Sequence, residues 1–262
     1  MQDKGCFCRI KRKFIRGRYK YYLQLVLKGI PPLKTNKDGE IKRNIGSGTV
    51  GIDIGTQSIA ISSNTDVKLL ELADRVQNIE NQKRILLRYM DRSKRANKPD
   101  NYKTDGTIKK GRLVWTHSNN YRKAQIQLKE LYRKQADIRE YQHQIMSNYI
   151  ISLGDKIYVE DMNFKGLQRR TKKTEKRENG KFKRKKRYGK SLGNKAPSKL
   201  LIMIDNKLKY FGKELIKVNT REVKASQYNH LNGQYKKKKL SQRWNDLDGH
   251  KIQRDLYSAY LI

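Results

Sequence analysis

Three carboxylates stand where a charge is costly unless it does work. Asp53 lies inside the apolar run Thr49–Ile54 (TVGIDI), flanked by Ile52 and Ile54. Glu160 ends a second apolar run, Lys156–Glu160 (KIYVE). Asp255 falls in the first turn of a helical stretch at 253–262, with the small residues Ser258 and Ala259 three and four positions on. Charges in such places need a partner or a cation. Small residues at that helical spacing let a helix approach a sheet closely. Two strand carboxylates and one from a helix make an oxygen-only set suited to Mg²⁺ or Mn²⁺. Ions held there would orient a water and stabilise the leaving oxygen of a phosphodiester, and they would let several carboxylates share one pocket. Each acid also has an ordinary reading, as an exposed strand end or a helix-dipole partner. Asp161 and Asp248 are neighbouring rivals for the second and third positions.

The elements that must position these acids follow from periodicity. Short β-rich runs at 49–54, 58–62 and 67–70 predict an antiparallel meander. A helix over about 70–95 offers Leu72, Val76, Ile79, Leu86 and Met90 as its stripe. A second helix repeats every three and four residues through Tyr121, Ala124, Leu128, Leu131, Gln135, Ile138, Gln142, Ile145 and Tyr149, an a/d seam weakened by its two glutamines. Turn signals at 97–115 make the pair a helical hairpin, an insertion over 71–152. Strand 156–160, helix 198–212, strand 215–219 and the final helix complete an α/β order. That order suits an RNase H-like core, although other α/β folds share it. Residues 49–262 then form one domain, preceded by a β-hairpin and a Gly/Pro-punctuated linker at 1–48.

Charge identifies the partner class. The 262 residues carry 62 Lys+Arg against 25 Asp+Glu, a formal net charge of +37. Such self-repulsion calls for a polyanion, and nucleic acid leads over an anionic membrane or an acidic protein. No apolar run reaches the roughly 18 residues of a membrane span. No secretory h-region follows Met1, and the only cysteines are Cys6 and Cys8, which points to a reducing compartment. Three basic segments are candidates for phosphate contact. The hairpin at 6–28 mixes Arg9, Lys11 and Lys13 with an apolar face of Tyr19, Tyr21, Leu23, Leu25 and Leu27; it is read as a backbone-binding module or as a hairpin packed on the core. The tract 169–190 holds 13 Lys/Arg, among them Lys172, Lys173, Lys183, Arg184, Lys185, Lys186 and Arg187, and is expected to order on a phosphate backbone. The run Lys236, Lys237, Lys238 and Lys239 sits among Tyr228, His230, Tyr235, Arg243 and Trp244, which read equally as base-stacking groups or as a solvated loop.

GIDIGTQSIAIS (51–62), VEDMNFKGL (159–167) and RDLYSAYLI (254–262) resemble, in order, the three RuvC motifs of the TnpB/OrfB family, transposon-encoded relatives of the type V CRISPR nucleases. The resemblance spans about 45–262 and, more loosely, the N-terminal hairpin. It implies a RuvC-like nuclease core whose metal-holding, catalytic acids fall on Asp53, Glu160 and Asp255. It further implies a guide RNA that reads a DNA target by base pairing, and a bacterial, cytoplasmic, nucleoid-associated protein. No tyrosine or histidine pair resembles a strand-transfer site, so cleavage without DNA joining is expected. Two departures stand out. The interval 222–254 has no cysteine where the family carries a four-cysteine zinc ribbon, so no zinc is expected, and the family's N-terminal helical recognition region is missing. A truncated, zinc-ribbon-less member follows from this, with a non-cleaving nucleic-acid-binding relic or regulator of the same family as the alternative.

Overall fold

The computed structural model describes residues 5–30, 32–169, 175, 178–179, 188–239 and 241–262. It divides into two compact units, the N-terminal hairpin with Asp74–Glu140 and Ile30–Ala73 with Tyr141–Ile262.

In the first unit, β1 (Gly5–Ile15) and β2 (Arg18–Leu27) pair antiparallel around a two-residue turn. Arg16 and Gly17 both take positive φ, 50° and 81°, the geometry whose twist matches the flanking strands. The register places Ile10 opposite Leu23 and Phe14 opposite Tyr19 on one face; Arg9 opposite Gln24, Lys11 opposite Tyr22 and Lys13 opposite Lys20 occupy the other. The apolar face does not pack on a core: Ile10 is 75% and Leu23 67% exposed. The tip is tied down, through the Arg16 amide donating to Glu130 Oε2 (3.3 Å) and Lys129 lying over the Phe14 ring.

Helix α1 (Gln77–Asn97) starts later than periodicity suggests. Leu70 and Glu71 are still strand residues, Leu72 donates its amide to the Gln57 carbonyl, and Ala73 turns the chain with a left-handed φ of 43°. Helix α2 (Asn119–Leu153) is continuous, and its first half packs Tyr121, Ala124 and Leu128 with Met90 of α1. The seam does not hold seven-residue spacing to the end: His143, Ser147 and Ile150 are buried, while Ile145 is 52% exposed. A straight helix drifts relative to a 3.5-residue repeat, so buried positions slide around it when no coiled-coil partner supercoils with it. Gln135 stays in the seam for a reason: its Oε1 accepts from the buried Lys83 ammonium (2.8 Å), which also pairs with Glu80 and lies over the Tyr132 ring. Removing one partner of a buried pair strands the other. Lys83→Ala should therefore lower stability by about 3 kcal/mol and Lys83→Met by less. A Lys83→Ala protein that melts like the parent would contradict that reading.

The second unit is a five-stranded mixed sheet with helices. Strands β3 (Thr49–Ile54), β4 (Ser58–Ser63) and β5 (Val67–Glu71) form the expected meander. Parallel to β3 runs β6 (Lys156–Glu160), and parallel to β6 runs β7 (Ile216–Val218), so the order is β5-β4-β3-β6-β7. One face, carrying Val50, Ile52, Ile54, Ile59, Ile61, Ile157 and Val159, packs on Ile150 and Ile151 of α2 and on three residues of the helix described next. Between β6 and β7 lie α3 (Phe164–Gln168), α4 (Gly189–Lys195) and α5 (Pro197–Lys209), whose Leu200, Ile204 and Leu208 join this core. After β7 come the short α6 (Thr220–Val223) and two small hairpins, β8–β9 (Tyr228–Asn229, Gln234–Tyr235) and β10–β11 (Trp244–Leu247, His250–Gln253). Helix α7 (Arg254–Leu261) ends the order. No helix among the described residues is long and apolar enough to cross a membrane.

Candidate functional site

Alternation along β3 decides which way Asp53 points. Val50, Ile52 and Ile54 fill the core face, so Gly51 and Asp53 belong to the opposite face. The same alternation in β6 puts Glu160 with Tyr158. Ile52 pairs with Val159, and Asp53 and Glu160 each follow directly, which sets the two acids side by side at the ends of adjacent parallel strands.

Gly51 brings the third acid. A Cβ built there would stand 1.9 Å from the Ala259 carbonyl oxygen, so the α7 backbone lies directly on the strand. The small residues Ser258 and Ala259, both buried, permit that approach on the helix side. Asp255 is four residues before Ala259, about 6.0 Å along the axis, and Asp53 is two residues beyond Gly51, about 6.6 Å along the strand. The two spacings nearly match, and Asp255 falls close enough to Asp53 to act on its charge.

The electrostatics report the convergence. The Asp53 carboxyl is pushed up to about 7, by burial first and then by the negative charges of Glu160 and Asp255, while Arg254 works in the opposite direction. Burial also raises Glu160. Asp255 is held by Gln253 Nε2 (3.3 Å), whose Oε1 caps α7 at the Leu256 amide (2.8 Å), and by the more distant Arg243 guanidinium (3.9 Å). The rivals stand elsewhere. Asp161 is exposed beside Lys217 (3.6 Å), and Asp248 makes the β10–β11 turn at φ 50°.

Oxygen-only donors, two of whose charges raise the proton affinity of the third, Asp53, fit a hard divalent cation in chemistry. Their spacing is another matter: among the described residues no group of three or more His, Cys, Asp or Glu side chains stands as a formed metal centre.

A raised carboxyl has a consequence for stability in metal-free buffer. Asp53 binds its proton more tightly folded, near 7, than unfolded, near 3.8. Its contribution is thus fully present below about pH 4 and is lost as pH rises through 7. Asp53→Asn should abolish this slope and melt higher than the parent at pH 8, by up to about 4 kcal/mol. Parallel pH profiles for the two proteins would refute the convergence of the three acids.

The basic segments fall out differently. Arg9, Lys11 and Lys13 share one exposed hairpin face with Lys20. Lys236, Lys237 and Lys239 are exposed, Lys238 lies over the Tyr257 ring, and the Lys239 carbonyl accepts from Arg254 (3.1 Å), so this run borders the helix that carries Asp255. Lys172, Lys173, Lys183, Arg184, Lys185, Lys186 and Arg187 lie outside the described residues. His230 is used by the fold: its Nδ1 and backbone amide both meet the Tyr257 hydroxyl (2.7 and 3.1 Å). Sequence reasoning passed over Arg254, whose signal was its place beside an acid at a helix start, and Gly51, whose signal was a glycine inside an apolar strand. No protein-family model matches this chain, and a search of curated proteins finds no match either.

Proposed function

We propose that this chain is a metal-dependent DNA endonuclease of the TnpB type, built on an RNase H-like (RuvC) core and directed by a guide RNA. The observation that carries the reading is the docking of α7 on Gly51, which draws Asp255 toward Asp53 and Glu160. Three antiparallel strands continued by two parallel ones agree with it, as do the motifs at 51–62, 159–167 and 254–262. The helical hairpin between β5 and β6 is then the family's insertion into that core. Mg²⁺ or Mn²⁺, when bound, supplies charge stabilisation at the scissile phosphodiester. Asp53, Glu160 and Asp255 would hold it, with Asp53 giving up its proton to do so. Arg254, Arg243 and Lys236–Lys239 supply positive charge beside the acids for the phosphate backbone of the DNA, and base pairing with the guide RNA supplies sequence.

A second reading has one observation in its favour: the acids do not stand as a formed metal centre. On that reading the chain binds nucleic acid without cutting. Cleavage of labelled single- and double-stranded DNA in Mg²⁺, by protein purified with its bound RNA, separates the two. Cutting that requires RNA, metal and Asp53 is the expected result. Bound RNA with no cutting would leave only the second reading.

A further inference from the structure

Away from the acids, the second unit holds a cavity of about 560 Å³ between the 32–43 loop, the C-terminal part of α2 and the end of α5. Its size is in the range of small-ligand sites, roughly 300–1,000 Å³. Its chemistry is one-sided. Lys34, Lys42, Arg43 and Lys207 line it, and no Asp or Glu does. Lys34 and Lys42 are brought together by the loop's own ladder, in which the Lys42 amide donates to the Lys34 carbonyl (2.8 Å) beside the Thr35–Ile41 bridge.

Lys207 is the interior charge. Its ammonium donates to the Gln144 carbonyl (3.1 Å), Ser147 Oγ (2.6 Å) and Asn148 Oδ1 (2.5 Å), all neutral acceptors. Burial, with the Arg43 charge added, holds it down at about 8. None of the four cations pairs with a carboxylate among the described residues. Tyr210 and Phe211 form part of the wall, and the Tyr210 ring is partly open to solvent. Cations without acids select a phosphate, and aromatic rings beside them suit a base.

We propose that this cavity binds one nucleotide of a single-stranded nucleic acid, its phosphate held by Lys42 and Arg43 with the Lys207 charge behind them, and its base against Tyr210 and Phe211. A net charge of +37 favours a strand over a free nucleotide as the source. The inference rests on nucleic-acid binding but not on cleavage.

The test uses the full chain, a fluorescein-labelled twelve-nucleotide oligouridine, and AMP as the free-nucleotide arm. Amine acetylation read by mass spectrometry follows Lys207 and Lys42, and fluorescence anisotropy follows affinity. Oligouridine is expected to protect both lysines. Arg43→Ala and Tyr210→Ala should each weaken its binding about tenfold with unchanged melting temperature. AMP is expected to protect the same lysines only at much higher concentration; protection by AMP without protection by oligouridine would overturn the strand as occupant. Tight oligouridine binding with both lysines still reactive would overturn the cavity and leave nucleic-acid binding intact. No binding at all would overturn both.

Discussion

Gly51→Ala should cost about 3 kcal/mol or more and lower the melting temperature by roughly 6–12 °C, although it adds a single methyl group. The reason is what the methyl meets. It would sit 1.9 Å from the Ala259 carbonyl oxygen and 3.1 Å from the carbon behind it. Those are backbone atoms, so no rotamer change relieves the collision, and either α7 lifts or β3 bends. Ala259→Gly should not rescue the variant, because the offending atom remains. If α7 lifts, Asp255 withdraws from Asp53, and amide exchange across Arg254–Leu261 should speed up while the β3–β4–β6 amides stay protected. On the proposed function, cleavage should then fall with all three acids still in the sequence. A Gly51→Ala protein that melts like the parent would remove the account of how the site is assembled.

How far the sequence foretold this site depends on which half of each contact is local. The strands at 49–54, 58–63 and 156–160 were legible because alternation is written into consecutive residues. Ser258 and Ala259 announced a close approach, but their counterpart Gly51 lies in another element, and only the folded chain joins them. The onset of α1 was misjudged for a similar reason: Leu72 continues a helical stripe on paper, yet pairing of Ser58 with Glu71 and of Ile59 with Leu70 keeps that stretch in the sheet. Gln135 read as a weak point in a seam, and its value shows only with Lys83 and Glu80 beside it. The hairpin and the place of its turn at Arg16-Gly17 were legible, while its register came only with the fold. Its bare apolar face was not, since no pattern within 6–28 says whether another element will cover it.

On the proposed function, replacing any one acid should stop cleavage while leaving nucleic-acid binding in place. Asp53→Asn, Glu160→Gln and Asp255→Asn remove one charge each without changing side-chain volume much. Each should lower metal-dependent cleavage by about 10³-fold or more, an effect on the barrier of roughly 4 kcal/mol. Affinity for oligouridine should change little, because the cations of the 32–43 loop and α5 cavity and the exposed basic segments are left alone by these substitutions. The double variant Asp53→Asn/Asp255→Asn should cleave no worse than either single one, since acids acting as one unit are lost together. Asp161→Asn is the control. Its carboxylate is exposed beside Lys217 and outside the converging set, so cleavage should stay within about twofold of the parent. Additive losses in the double variant, or a loss at Asp161 as large as at Glu160, would mean that the three acids do not work as one site.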